Sequence, residues 1–266
     1  REGRPEDNLT LSTKIILPIN GSMRPGESQE KYRIRSIPDS NISLDKLNPM
    51  LEEMQNFEQL KNDLRDFLSQ IIPDDAVRNY AIKFVAKCLS GENRDEGFYI
   101  WTGSGGNGKS KLIELMQLVL GDYVCGLPVS LITGKRASSN SATPEMERTK
   151  GKRFVFMQEP EQEQSINVGL MKELTGGDKI IARGLHKDPI EFKPQFKLVL
   201  TCNDLPQVPS NDQGTWRRIR AVNFPSKFVD EPNPRNNFEF PIDDTIPQKI
   251  PEWAGAFMHI LLDYYK

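Results

Sequence analysis

The chain has 266 residues, of which 37% are apolar and 27% are charged, and its formal net charge is −2. This length can bury a sizeable core, as one large domain or two small ones, and the composition is typical of a soluble globular protein. The near-neutral charge excludes binding to nucleic acid through bulk attraction, so any such contact must come from a local basic patch. No apolar run approaches membrane-spanning length and no signal-peptide pattern opens the chain, so we expect no membrane partner.

The three cysteines, Cys88, Cys125 and Cys202, lie far apart in the chain and lack metal-ligand spacing. Their odd number and wide separation predict buried thiols with packing roles, in a reducing, intracellular compartment. The chain begins with Arg1 and not with Met, which is compatible with a piece of a longer protein.

Residues 1–48 are polar and rich in turn signals, and we expect a linker or the end of an upstream domain there. Asn48 then precedes Pro49, a pairing typical of the cap and the first position of a helix. Apolar residues follow at helical spacing, and a second helical pattern runs from Pro73 to Gly91. The sequence therefore predicts a helical, collar-like N-terminal domain over residues 49–92.

The stretch Gly103–Ser110 matches G-x-x-x-x-G-K-S, the pattern of a phosphate-binding loop. It lies between an apolar run, Gly97–Trp101, and an amphipathic helix, Lys111–Leu120, which is the context that such a loop requires. Backbone N–H groups and the positive end of the helix can then bind a polyphosphate. We expect Lys109 to reach the β- and γ-phosphates and Ser110 to bind Mg²⁺. The predicted ATP-binding residues are Gly103, Ser104, Gly105, Gly106, Asn107, Gly108, Lys109, Ser110 and Lys111.

After this loop, short apolar runs alternate with helical patterns, which is typical of an α/β domain with a parallel sheet. The predicted elements are a strand at Arg153–Glu159, a helix at Val168–Leu174, a hairpin of Lys179–Arg183 and Pro189–Phe192, strands at Phe196–Thr201 and Trp216–Phe224, and a final helix after a connector at Pro225–Pro251. The pattern thus predicts a core over residues 93–225, followed by a connector and helical tail over residues 226–266.

Polar side chains beside the predicted strands are candidates for catalysis. Glu159 ends one strand, where a carboxylate can hold Mg²⁺ and orient a water for attack on a phosphate; a surface glutamate is the alternative. Asn203 ends the next apolar strand, where its amide could bind the γ-phosphate and the water, although such residues also cap turns. Arg217 and Arg218 follow, and an arginine aimed across a subunit boundary can stabilise transition-state charge. A solvated pair on an edge strand is the alternative for these arginines.

The order of these features resembles that of superfamily 3 helicases, and more narrowly the helicase of poxvirus-type primase-helicases of large DNA viruses and phages. The resemblance covers residues 50–265 and includes the segment Lys172–Asp178 and the Trp216-Arg217-Arg218 motif. It implies an AAA+ P-loop core that assembles as a hexameric ring and hydrolyses ATP at subunit interfaces. It also implies 3′ to 5′ translocation on single-stranded or forked DNA during viral DNA replication, with the cytoplasm of an infected host cell as the expected location.

The resemblance implies a role for each motif residue. Lys109 and Ser110 would be the Walker A pair, and Glu159 would be the Walker B acid, which binds Mg²⁺ together with Ser110. Asn203 is the sensor, and either Arg217 or Arg218 is the arginine finger.

The resemblance also supplies candidate DNA contacts. It puts His186 and Lys187 at a hairpin tip that grips the DNA backbone, although a polar hairpin turn is the alternative. Lys172, which lies between the acid and the sensor, is a further DNA-binding candidate.

The Walker B strand departs from the family pattern in one respect. Several relatives have two acids at its end, whereas Gln158 precedes Glu159 in this chain. Either Glu159 serves both the metal and the water, or Asp178 or Glu161 assists it.

The expected partners are DNA, further copies of the chain, and an upstream primase domain or other replication proteins. Two other functions share the loop motif. An AAA+ loader or packaging motor would hydrolyse ATP without separating strands, and a small-molecule P-loop kinase would act as a monomer without DNA.

Overall fold

The structure is a computed structural model, and it describes residues 44–134, 142–160, 165–209 and 212–265. The chain divides into two units, Arg1–Gln55 and Asn56–Lys266. Within the first unit the described residues are the beginning of a helix, so most of the predicted linker at residues 1–48 lies outside the described part of the chain. The account below concerns the second unit.

The described residues form nine strands and eight α-helices. The strands are β1 (Phe98–Thr102), β2 (Val124–Gly126), β3 (Phe154–Gln158), β4 (Ile180–Ala182), β5 (Ile190–Phe192), β6 (Lys197–Cys202), β7 (Ile219–Asn223), β8 (Lys227–Val229) and β9 (Glu239–Pro241). The helices are α1 (Leu44–Ile71), α2 (Asp75–Lys87), α3 (Lys109–Leu120), α4 (Ser130–Thr133), α5 (Pro144–Glu147), α6 (Val168–Thr175), α7 (Gln213–Trp216) and α8 (Ile246–Tyr265).

Five strands form the central sheet, in the order β2-β3-β6-β1-β7, and all neighbouring pairs in it are parallel. The predicted α/β class with a parallel central sheet is therefore confirmed for the described residues. Strand β6 lies between β1 and β3, with Leu198 in register with both Phe98 and Val155. The carboxyl ends of these three strands consequently meet at one edge of the sheet.

Alternating residues of β1 face two separate apolar layers. Tyr99 and Trp101 pack into a layer that includes buried residues of α1, α2, α3 and α8. Phe98 and Ile100 pack into the other layer, with residues of α6, β4 and β5. Burial on both faces explains why the strand has a continuous apolar run and no alternating pattern.

The two N-terminal helices only partly match the predicted boundaries. Helix α2 begins where expected, since the carboxylate of Asp74 accepts a hydrogen bond from the N–H of Val77 at 2.9 Å. Helix α1 begins at Leu44, so the predicted start at Asn48 and Pro49 is wrong. A proline removes one backbone donor, and here the helix continues across it.

The prediction also misses structure around the last strands. Trp216 belongs to the short helix α7, so the predicted strand at Trp216–Phe224 begins only at Ile219. Asp212 caps this helix and accepts a hydrogen bond from the N–H of Thr215 at 2.9 Å. The signal for this helix is a single capping residue, Asp212, whereas the apolar pattern of the following strand is longer. The sequence therefore predicts the strand and misses the helix.

The predicted connector at Pro225–Pro251 is largely structured. It contains the parallel pair β8 and β9, and helix α8 already begins at Ile246. Pro251 thus lies inside α8, whose buried face includes Trp253 and Phe257. Packing of this face against the core outweighs the helix-breaking tendency of the proline.

All three cysteines are free and buried, which confirms the packing roles predicted for them. Within the described residues, no helix has both the length and the apolar character needed to cross a bilayer.

Candidate functional site

The predicted phosphate loop joins the carboxyl end of β1 to the amino end of α3. Helix α3 begins at Lys109, two residues before the predicted start at Lys111, and its first N–H groups have no partner within the helix. Residues 104–106 are exposed, as is Ser110 in the first helical turn. Lys111, which is also predicted to bind ATP, forms an ion pair with Glu114 at 2.9 Å along α3. A strand, a loop and the start of a helix therefore have the arrangement that favours anion binding.

Two glycines of the loop are required by their backbone geometry and their close neighbours. Gly103 has a φ of 140° and Gly108 a φ of 85°. A Cβ atom on Gly103 would overlap the carbonyl oxygen of Phe224, and one on Gly108 would overlap the side chain of Ile71. The loop thus packs directly between the end of β7 and the end of α1.

The side chain of Asn107 is buried inside the loop. Its Nδ2 donates a hydrogen bond to the carbonyl oxygen of Phe224 at 3.2 Å, and its Oδ1 accepts one from the N–H of Lys109 at 3.4 Å. The sequence places Asn107 at a variable position of the motif, and no local signal shows that this amide ties the loop to β7.

Lys109 is also buried, and its ammonium group donates to the carbonyl oxygen of Gly103 at the start of its own loop. Burial lowers the pKa of Lys109, while electrostatic interactions with Cys202 and with Glu159 oppose that shift. The structure therefore brings Lys109 near the strand end that carries Glu159.

Glu159 and Asn203 lie at the same edge of the sheet as the loop. The N–H of Glu159 donates to the carbonyl oxygen of Thr201 at 2.8 Å, and Glu159 has a φ of 50°. The carbonyl oxygen of Asn203 accepts a hydrogen bond from Oγ1 of Thr102 at 2.8 Å, just before the loop. Both predicted side chains are exposed, and Asn203 follows the strand that separates β1 from β3.

The donor set at this edge contains ligand types that Mg²⁺ accepts. The described residues contain no group of three or more His, Cys, Asp and Glu side chains that could hold a metal ion. Ser110 and Glu159 offer a hydroxyl and a carboxylate oxygen, and Mg²⁺ in nucleotide sites takes its other ligands from phosphates and water. Two further acids are predicted to assist Glu159. Asp178 lines a cavity together with Arg218, and Glu161 lies outside the described residues.

Arg217 and Arg218 lie at the opposite edge of the sheet. The carbonyl oxygen of Arg218 accepts a hydrogen bond from the N–H of Phe98, the first residue of β1, at 2.7 Å. A strand rises about 3.3 Å per residue, so the length of β1 puts roughly 15 Å between this level and the loop. An arginine side chain does not span that distance, so the structure does not bring these arginines to the loop of their own chain.

Both arginines share one carboxylate. An oxygen of Glu96 lies 2.6 Å from a guanidinium nitrogen of Arg218 and 3.2 Å from one of Arg217. Beside them is a cavity of about 570 Å³, whose lining includes Glu96, Lys172, Asp178 and Arg218. Sequence reasoning missed Glu96, because it precedes β1 and belongs to no motif.

Lys172 groups with the arginines in the structure, and not with the hairpin tip. Its ammonium nitrogen lies 3.0 Å from both carboxylate oxygens of Asp212, the residue that caps α7. It also lines the cavity beside Arg218.

The predicted hairpin is present, with β4 and β5 antiparallel and Ile181 opposite Glu191. His186 lies at its tip with a φ of 57°. The ammonium group of Lys187 lies 2.9 Å from the carboxylate of Glu147 at the end of α5. A Cβ atom on Gly184 would overlap the same carboxylate, so the tip is packed closely on α5. Glu147 is a second residue that sequence reasoning missed.

Several proteins of large DNA viruses are similar in sequence to this chain. The chain is 44% identical over 239 residues to "Putative helicase L207/L206" of Acanthamoeba polyphaga mimivirus, covering 86% of this chain and 25% of the viral protein. It is 31% identical over 283 residues to "Putative helicase 022R" of Frog virus 3, covering 94% of this chain and 29% of that protein. It is also 27% identical to "Putative primase C962R" of African swine fever virus, covering 76% and 22%. The chain is similar to proteins of large DNA viruses that carry helicase and primase names.

The chain spans about a quarter of the length of these relatives. A model for a family of unknown function, DUF5906, matches residues 101–218, which include the loop, Glu159, Asn203 and both arginines. Among solved structures, the C-terminal region of NrS-1 superposes with a TM-score of 0.57 at 15% identity, covering 74% of this chain and 44% of that one. This likeness concerns the fold alone.

Proposed function

We propose that the chain is an ATP-dependent DNA helicase domain that translocates 3′ to 5′ as a ring in viral or phage DNA replication. The observation that carries the proposal is the division of the candidate site between two edges of one sheet. The loop, Glu159 and Asn203 share the carboxyl edge, and the arginines lie at the amino edge. A site divided in this way is complete only where two copies meet.

In the proposed reaction, the loop and the start of α3 bind the phosphates of ATP, and Lys109 leaves the Gly103 carbonyl to contact the β- and γ-phosphates. Ser110 and Glu159 would hold Mg²⁺, which neutralises charge on the β- and γ-phosphate oxygens when bound. Glu159 orients a water, whose oxygen attacks the γ-phosphorus while the bond to the β-phosphate oxygen breaks. The electron pair of that bond leaves with ADP, and the proton of the water passes through Glu159 to the released phosphate. Asn203 holds the water and the γ-phosphate in line.

An arginine from a neighbouring copy completes this site in the proposal. It stabilises the charge that develops on the transferred phosphoryl group, an effect of roughly 10³ to 10⁵ in rate. We propose that the ring contains six copies.

DNA binding is assigned to the hairpin tip, where His186 and Lys187 are exposed. Repetition of one lysine around a ring would supply closely spaced phosphate contacts in a chain whose net charge is only −2. The names of the viral relatives support a role in DNA replication, with an upstream primase domain or other replication proteins as partners.

The test is an unwinding assay on a forked DNA duplex with a 3′ single-stranded arm. We expect strand release that requires ATP and Mg²⁺ and that is lost in Lys109→Ala. The matched control is Lys249→Ala, which removes a lysine of α8 that pairs with Asp243 outside the candidate site and should retain most activity.

Other outcomes of this assay would identify other functions. ATP hydrolysis that DNA stimulates, without strand release, would indicate a loader or packaging motor. Phosphorylation of a small acceptor by a monomer, without an effect of DNA, would indicate a P-loop kinase.

A further inference from the structure

We infer that Arg217 is the arginine that acts on the nucleotide of a neighbouring copy, and that Glu96 and Arg218 are positioning residues that hold it at the surface. This inference rests on the proposed function and assigns separate roles to two adjacent, chemically identical side chains.

Arg218 is anchored within its own chain. Its side chain is only 12% exposed. One guanidinium nitrogen lies 2.6 Å from Glu96, and another donates to the carbonyl oxygen of Gly214 at 2.7 Å. Its backbone carbonyl accepts a hydrogen bond from Phe98. Extending this guanidinium toward another chain would break both side-chain bonds and uncover buried polar groups.

Arg217 has the opposite surroundings. Its side chain is 66% exposed, and its ion pair with Glu96, at 3.2 Å, is longer than that of Arg218. The preceding residue, Trp216, is 51% exposed. Arginine and tryptophan are among the residue types most enriched at the energetic centres of protein interfaces. A second copy of this chain is therefore the occupant that this surface fits under the proposed function.

Glu96 explains how the two arginines can act differently. It has a φ of 46°, a left-handed conformation that glutamate rarely adopts, and its carboxylate receives both guanidinium groups. One carboxylate facing two guanidinium groups leaves a net positive charge at this place. The bond to Arg218 is the shorter one, so Arg217 is the group that can move to a phosphate while Arg218 keeps Glu96 in position.

The inferred step involves no covalent change at the arginine. As the water oxygen bonds to the γ-phosphorus and the bond to the ADP oxygen breaks, the Arg217 guanidinium of the neighbouring copy stabilises the charge on the equatorial oxygens. It neither gives nor takes a proton, since arginine stays protonated.

Subunit mixing tests the assignment. A chain with Arg217→Ala has an intact loop, and a chain with Lys109→Ala has an intact Arg217. Only a contact between one chain of each kind therefore brings an intact loop together with Arg217. We expect Arg217→Ala alone to lower kcat by roughly 10³-fold with an unchanged KM for ATP and an unchanged thermal midpoint. Equimolar mixing with Lys109→Ala should restore ATPase activity, because about a quarter of the contacts in a random assembly are then complete.

Two further variants test the positioning roles. Arg218→Lys retains the charge but loses the forked geometry, and we expect a lower thermal midpoint with less than about a tenfold loss of kcat. Glu96→Gln should lower kcat several-fold without changing the KM for ATP, because it leaves Arg217 unguided while the loop is intact.

The assignment is overturned if Arg217→Ala turns over ATP normally, or if mixing fails to restore its activity. It is reversed if Arg218→Lys loses activity by roughly 10³-fold at an unchanged thermal midpoint and regains it on mixing. If the unaltered protein hydrolyses no ATP at any concentration, the proposed function itself fails, which is a different result.

Discussion

Two glycines of the phosphate loop occupy contrasting surroundings: Gly108 stands at a fixed position of the motif and Gly105 at a variable one. Gly108 has a φ of 85° and contacts Ile71 of α1, whereas Gly105 has no heavy atom within 4 Å of the place where a Cβ atom would lie. The loop is therefore constrained on the side of α1 and open where a phosphate would enter.

Gly108→Ala should lower the free energy of unfolding by about 2–4 kcal/mol, since it combines a left-handed backbone with overlap against Ile71. Gly105→Ala is the matched control and should change it by less than about 0.5 kcal/mol. Urea unfolding of the three proteins measures both changes. Equal destabilisation by the two substitutions would show that contact with α1 does not constrain the loop.

Cys88 predicts how stability depends on alkaline pH. Burial raises its pKa from the ordinary value of 9.0 to about 12, and Lys197 partly opposes this. Between those values the unfolded thiol ionises while the folded one stays protonated, so this contribution to stability is complete below pH 9 and is lost as pH rises toward 12.

Relative to Cys88→Ala, the unaltered protein should therefore lose up to about 1.4 kcal/mol of unfolding free energy per pH unit above pH 9. Urea unfolding of both proteins at several pH values gives the two curves. Parallel curves would show that this thiol ionises equally in the folded and unfolded states.

At the scale of elements, the hairpin tip is held by an acid of its own chain. Lys187 pairs with Glu147, and the N–H of Arg183 donates to Oγ1 of Thr143 at 3.0 Å, so two contacts fix the turn between β4 and β5 to the region of α5. A DNA phosphate that binds Lys187 has to displace the carboxylate of Glu147.

Glu147→Gln should therefore increase affinity for single-stranded DNA, and Lys187→Ala should decrease it and reduce the salt dependence of binding. Fluorescence anisotropy of a labelled oligonucleotide at several salt concentrations measures both effects, and basal ATPase activity should stay unchanged. Glu191→Gln is the control, because it frees Lys179 at the base of the same hairpin, away from the tip. If Lys187→Ala leaves affinity unchanged, the tip is not the DNA contact.

The sequence predicts those elements whose signals lie within the element itself, as an apolar run, an apolar stripe or a cap. Strands β1, β3 and β6 are apolar runs buried on both faces, and α2 has both a cap and an apolar stripe. The start of α8 could not be predicted, because Pro251 is a local stop signal that packing of the helix against the core overrides. Helix α7 could not be predicted either, because its only local signal is one capping acid, Asp212.

Candidate site residues divide in a similar way. Motif spacing predicts the loop, the ends of two apolar runs predict Glu159 and Asn203, and the parallel sheet brings these strand ends to one edge. Glu96 and Glu147 were missed because their partners lie far away in the chain, 121 and 122 residues from Glu96 and 40 residues from Glu147. Contacts over such separations follow from the assembled fold and leave no periodic or motif signal.

For the whole molecule, the proposed function makes activity depend on assembly. ATP turnover per chain should rise with protein concentration and level off when assembly is complete, because a lone copy lacks an arginine at its loop. Steady-state rates measured over a concentration series, together with light-scattering masses, test this dependence. Equal turnover per chain in dilute monomers would contradict a shared site.

Placing the loop and the arginines at opposite edges of one sheet also restricts the symmetry of any assembly that completes the site. A two-fold dimer pairs one patch with itself, so that residue i meets residue j and j meets i, and it completes the site only if the loop and the arginines belong to that same patch. Head-to-tail contact joins unlike surfaces, and an open row of copies leaves one loop and one arginine pair unused at its ends. Closing the row into a ring unites those two ends, so closure adds a complete site without adding a chain.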